Sequence, residues 1–179
     1  MRSMLLIILV IVPAAALAAE LPTRKPGLWE IRMTHSGPGA GQVIKQCVDA
    51  ETDAKMLQMS GSVGEQMGMT CSKKNTREHG GVYIVESDCA MAGSRTITKT
   101  VISGDFNSTY KADTTITQDP PIMGNAVTKM SQTAKWVGPC ASGQEPGDVI
   151  MPNGMKMNMA QMEKISKMPH PKMPFPMKK

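Results

Sequence analysis

Aromatic residues are nearly missing from this sequence. Two Trp, two Tyr and two Phe stand among 179 residues, 3% of the chain. A core with so few large rings is thin, and a nucleic-acid surface built on base stacking has no platform. Histidine is equally scarce: His35 adjoins a glycine-rich stretch, His79 sits at a hairpin turn, and His170 lies near the C-terminus. No C-x-x-C occurs, and no Cys has a His within six positions. That removes the usual zinc and thioredoxin-like patterns. H-E-x-x-H, G-x-S-x-G and Walker sequences are absent, and the acidic residues lack calcium-loop spacing. No apolar run reaches the ~20 residues of a membrane helix. These absences point away from an enzyme, a nucleic-acid binder and an integral membrane protein. They also point away from a coiled coil and a large cofactor-wrapping fold.

Charge of one sign is missing from the body as well. The formal +5 of the chain comes from its ends. Residues 149–179 hold six Lys and one Glu, and Arg2 supplies one further charge. The body between them is close to neutral, with no basic stripe that tracks a phosphate backbone.

The N-terminus reads as an address. Arg2 gives a positive start, Met4 to Val12 is a nine-residue apolar run, and Ala16-Leu17-Ala18 fits the A-x-A cleavage rule. Residues 1–18 are therefore expected to be a signal peptide. A protein domain follows over 19–148, and a Met/Pro/Lys-rich tail over 149–179. The expected location is periplasmic or secreted.

Cys47, Cys71, Cys89 and Cys140 all follow the cleavage site, which in an exported chain predicts two disulfides. Thr70 to Glu78 and Val82 to Met91 read as strands around His79-Gly80-Gly81. With a three-residue loop, Glu78 faces Val82 and Cys71 faces Cys89 directly across the hairpin, close enough to bond. Cys47 and Cys140 then remain for each other.

Elsewhere the body alternates. Trp29, Ile31 and Met33 share one face, with Glu30 and Arg32 on the other. The glycine-rich run from Ser36 to Gly41 lacks G-x-G-x-x-G and reads as a hairpin loop leading into Gln42 to Val48. Asp49 caps a helix expected over Ala50 to Met59, ended by Gly61 and Gly64. Further strands are expected over Arg95 to Ile102, Phe106 to Thr117 and Ala126 to Val137, with Asp119-Pro120-Pro121 breaking the chain before the last. Short connections favour an antiparallel meander. The expected fold is mainly β: a curved meander or incomplete barrel with one short helix and two disulfides, followed by the Met/Pro-rich tail.

The tail carries Met151, Met155, Met157, Met159, Met162, Met168, Met173 and Met177. Asn158 to Lys167 can form a helix after the Pro152-Asn153-Gly154 turn, and Met155, Met159 and Met162 then stand at i, i+4 and i+7 as a docking stripe. The four prolines from Pro169 to Pro176 suit an extended segment. This packing reading leads. The alternative is a soft-metal site for Cu(I) or Ag(I) formed by Met155, Met157, Met159, Met162, Met168, His170 and Met173, since thioether sulfur selects such ions over Zn. Oxidant scavenging or membrane contact is a third reading.

The order of features resembles a family of exported proteobacterial proteins catalogued as a domain of unknown function, DUF3617. The matching features are the signal peptide, Pro26-Gly27-Leu28-Trp29-Glu30, Cys47 leading into a helix, Cys71, Cys89, and Trp136-Val137-Gly138-Pro139-Cys140. The resemblance covers roughly residues 25–150 and implies a periplasmic, disulfide-stapled β domain. It implies no activity and no catalytic residue. The functional expectation is a non-enzymatic binding or interaction module. It would take a small apolar ligand or an envelope protein, with no resident cofactor unless the tail holds Cu(I).

Overall fold

The computed structural model describes residues 19–35, 41–66, 68–91, 93–122 and 124–161. The expected signal peptide 1–18, the loop residues 36–40 and the tail from Met162 onward lie outside them. The described chain forms β1 (Gly27–His35), β2 (Val43–Val48), α1 (Ala50–Gln66), β3 (Thr70–His79), β4 (Val82–Met91), β5 (Ser94–Gly104), β6 (Thr109–Ile122), β7 (Asn125–Gly138), β8 (Asp148–Ile150) and β9 (Lys156–Asn158). All nine strands join one open sheet in the order β3-β4-β5-β6-β7-β1-β2-β8-β9. Every neighbouring pair is antiparallel.

The expected meander is real from β3 to β7. The β1–β2 hairpin joins it through a long-range seam in which Leu28 faces Gly138 and Ile31 faces Ala134. The period-2 pattern explains which face is covered. Trp29, Ile31 and Ala134 are buried on one face, and Ile44, Tyr110, Trp136 and Val48 pack with them. Met56 of α1 closes on the same cluster. The opposite face is wet and carries cross-strand ion pairs such as Arg77–Glu86 and Arg95–Asp88.

Both expected disulfides are present, Cys71–Cys89 and Cys47–Cys140. The hairpin register reaches the first of them by a different route. His79 pairs with Val82, so the loop is two residues, Gly80-Gly81, rather than three. Both glycines have positive φ, 60° and 79°, as a two-residue turn of matching twist requires. That register alone would set Cys71 one residue off. A bulge between Cys71 and Lys73 takes up the extra residue and brings Cys71 opposite Cys89.

Three other expectations are corrected. The helix does not stop at Gly61 or Gly64 but runs to Gln66. A glycine inside a helix costs only about 1 kcal/mol and keeps its N–H, so it weakens the helix without ending it. The start is as expected: Asp49 Oδ1 accepts from the Thr52 N–H at 2.8 Å, while Thr52 Oγ1 accepts from the Asp49 N–H at 2.9 Å. That bond from Thr52 holds the Asp49 carboxyl below its usual range. Second, Asp119-Pro120-Pro121 does not break β6, which continues to Ile122. The prolines fall where the β6–β7 register lapses, between Thr117 and Ile122, so the missing donors cost no ladder bond on that side. Third, strand structure does not end by Cys140. The expected boundary at Asp148 is the first residue of β8, and β9 follows it. Three-residue strands carry too little alternation to be read from sequence. In the tail, Asn158 Oδ1 accepts from the Ala160 N–H at 2.9 Å and caps a helix that begins at Met159. The rest of that expected helix lies outside the described residues.

One loop fixes an aromatic in the core. Asp105 accepts from the N–H groups of Asn107, Ser108 and Thr109 at 2.8, 2.7 and 3.2 Å, and from the Ser108 hydroxyl at 2.7 Å. These bonds, that from Ser108 foremost, hold its carboxyl far below the usual range. They also hold Phe106 at φ 55°, a conformation a bulky residue avoids when unconstrained. Its buried ring stacks on Tyr110 at 5.2 Å and meets Tyr83 edge-on at 5.9 Å.

Two outcomes follow. Truncation after Asp148 removes β9, most of β8 and the buried Met159, and should lower Tm by about 5 °C or more; an unchanged melt would make residues 19–148 self-sufficient. Asp105 has a depressed folded pKa, so its contribution is complete above the unfolded value near ~3.9 and fades as pH falls below it. Asp105→Asn should therefore lower Tm at pH 7, and the gap to the parent should narrow below about pH 4. A gap constant from pH 7 to 3 would contradict this.

Candidate functional site

The covered face of the sheet is organised by one buried ion pair. Arg24 lies just before β1, and Asp53 lies on the inward side of α1. The Arg24 N–H donates to Asp53 Oδ2 at 2.7 Å, and its Nε donates to Oδ1 at 2.7 Å. Nη2 lies 2.7 Å from the same Oδ1, with the two side chains only 9% and 2% exposed. Nη1 donates to Gln46 Oε1 of β2 at 2.9 Å, and Nη2 reaches the Met56 sulfur at 3.5 Å. The guanidinium also lies 5.8 Å from the Trp29 ring centroid. Its donors are thus engaged within the protein, and the pair is neutral as a unit.

Beside this pair lies a cleft of about 660 Å³ between α1 and the sheet. Ile31, Ile44, Val85, Ile102 and Phe106 supply apolar lining from five parts of the chain, and Met56, Leu57 and Met59 supply the helix side. Polar atoms are few. Gln132 Nε2 donates to the Tyr110 hydroxyl at 3.2 Å, and the Thr100 and Thr114 hydroxyls share a bond at 3.0 Å. Burial pushes the Tyr110 phenol up, so it is protonated at neutral pH, with the nearby Arg24 charge partly offsetting the rise. A mostly apolar cleft of this size with a few placed polar groups is the usual form of a small-molecule site.

The tail residues proposed for soft-metal binding divide. Met155 is 51% exposed, Met157 is half-buried on β9, and Met159 is 6% exposed and lines the cleft. Met162, Met168, His170 and Met173 lie outside the described residues. His79 is exposed at the end of β3, and His35 ends β1. Among the described residues no cluster of three His, Cys, Asp or Glu stands ready for a metal. Arg24, Asp53, Tyr110, Gln132 and Phe106 were not singled out by the sequence. Asp53 did leave a trace: it shares a helix face with Met56 and Leu57, where a carboxylate needs a partner.

The opening and closing motifs of the domain meet in space. The Trp29 indole N–H donates to Lys25 O at 2.8 Å, and that of Trp136 donates to Pro26 O at 3.0 Å. Lys25 Nζ sits 3.7 Å from the Trp136 ring centroid. Gly27 has φ 132°, and a Cβ there would stand 2.5 Å from Trp136 Nε1. Glycine is therefore the residue that lets this tryptophan cross. The profile of the family described as protein of unknown function (DUF3617) matches residues 24–140. The chain belongs to this family. No curated protein and no solved structure matches it. The DUF3617 match begins at Arg24 of the ion pair and ends at Cys140 of the long-range disulfide. Strands β8 and β9, with Met159, lie beyond it.

Removing one partner of the pair leaves a buried charge unpaired. Asp53→Ala should cost about 3–5 kcal/mol in urea unfolding, and Arg24→Met/Asp53→Leu together should cost much less than the sum of the single changes. Additive losses would show that the pair is not coupled.

Proposed function

We propose that this DUF3617 protein is an exported, periplasmic, non-enzymatic module that holds a small apolar ligand in the cleft between α1 and the sheet. The observation that carries the reading is the cleft itself: about 660 Å³, lined mostly by aliphatic, thioether and aromatic side chains. Its ionisable liners are Arg24, Asp53 and Tyr110. Arg24 and Asp53 neutralise each other, and Tyr110 stays protonated, which suits a holder better than a proton-transfer catalyst. Export is supported by Arg2, the Met4 to Val12 run and Ala16-Leu17-Ala18. The two disulfides agree with an oxidising compartment. No helix among the described residues is long and apolar enough to cross a membrane.

The test uses N-phenyl-1-naphthylamine, a neutral dye that brightens in apolar sites. The parent should bind it with micromolar affinity. Ala112 lies in the lining on β6, and Ala112→Phe should weaken binding at least tenfold, about 1.4 kcal/mol, while the protein still unfolds cooperatively. No dye binding by the parent, or equal binding by the variant, would remove the cleft as the site.

A further inference from the structure

The cleft draws its lining from seven strands of the sheet, from Val85 on β4 to Val149 on β8, and from α1 opposite them. Its volume of about 660 Å³ is that of a site for a single small ligand. Met33, Met56, Met59 and Met159 line it. Unbranched thioether side chains adapt to chains of variable shape and select little by outline.

Its electrostatics select more sharply. Arg24 looks like an anion receptor by residue type, yet Asp53, Gln46 and Met56 already take its donors. A carboxylate or phosphate entering the cleft would have to displace a buried partner to reach it. A cation meets the same barrier at Asp53, both of whose oxygens are occupied by Arg24. What remains open is uncharged. The Tyr110 oxygen accepts from Gln132 and also meets the Arg24 guanidinium, which leaves its own hydrogen to donate to a further acceptor. Gln132 Oε1 accepts nothing among the described residues. One donor and one acceptor therefore sit side by side on adjacent strands, with the small Ala112 facing Gln132 in register.

We propose, on the strength of the cleft reading above, that the ligand is a single-chain, uncharged amphiphile, of the class of a fatty alcohol or a monoacylglycerol. Its hydroxyl or carbonyl is held by Tyr110 and Gln132, and its chain lies along the methionine-lined cleft. A hydroxyl head satisfies both groups at once, accepting from Tyr110 and donating to Gln132 Oε1. A charged head loses its hydration and gains no free counter-charge.

The test is displacement of N-phenyl-1-naphthylamine from the full chain by three competitors with ten-carbon chains: 1-decanol, decanoate at pH 8 and decyltrimethylammonium. Decanol should displace the dye at a concentration at least tenfold lower than either ion. Tyr110→Phe keeps the ring that packs on Trp29 and Phe106. With displacement referred to each protein's own dye affinity, it should weaken decanol roughly five- to tenfold, the scale of one lost neutral hydrogen bond. Gln132→Met, a second variant that leaves the aromatic stack untouched, should do the same. Equal displacement by decanoate, or unchanged decanol affinity in both variants, overturns the proposal while dye binding keeps the cleft. Absence of dye binding by the parent overturns both.

Discussion

The contact on which the architecture turns is the buried pair of Arg24 and Asp53. It joins three pieces of chain that sequence keeps apart: the segment before β1, the inward face of α1 and, through Gln46, strand β2. A helix with two internal glycines and few apolar residues has little else to seat it. A charge pair of this kind contributes little net energy against a hydrophobic substitute, but it penalises every arrangement that separates the partners. It thereby sets where α1 lies over the sheet, and so the width of the space beneath. That space persists because the core is small: Trp29, Ile31, Val48 and Ala134 pack together, and Ile31 also borders the cleft that they do not fill.

Strand positions were legible where alternation runs over several residues, as in Trp29 to Met33 or Tyr110 to Thr117, and the polar strand from Thr70 only through the glycine turn that follows it. The two disulfides were legible because chain geometry restricts cross-strand partners, although the turn and the bulge were both needed to set the register. Local rules misled where tertiary context outweighed them. Two glycines did not stop α1, and two prolines did not stop β6. β8 and β9 gave no pattern, because three residues are too few for one. The cleft was even less visible. Arg24 reads as an ordinary charged residue next to Lys25, and its partner is 29 positions away. Ala112 contributes by being small, which leaves no mark on a hydropathy pattern.

The family motif now has a mechanical content. Pro26-Gly27-Leu28-Trp29 hangs two indoles from adjacent carbonyls, one its own and one from the far end of the domain. Gly27 is the clearance that makes this possible. A glycine-tryptophan pair near the start and a tryptophan followed by glycine and cysteine near the end are therefore two halves of one joint. Their separation in sequence measures the meander that must fit between them.

That separation orders the folding as well. β1 must wait for the strand it pairs with, β7, about a hundred residues further along the chain. Until that seam closes Trp29 has no lid, and Cys47 stands 93 residues from its partner Cys140. Cys71 and Cys89 lie in the interval, each able to capture Cys47 wrongly. The fast hairpin between them is a safeguard, since closing its own bond takes both competitors out of reach. The local disulfide thus protects the assembly of the distant one, and its value lies as much in timing as in stability.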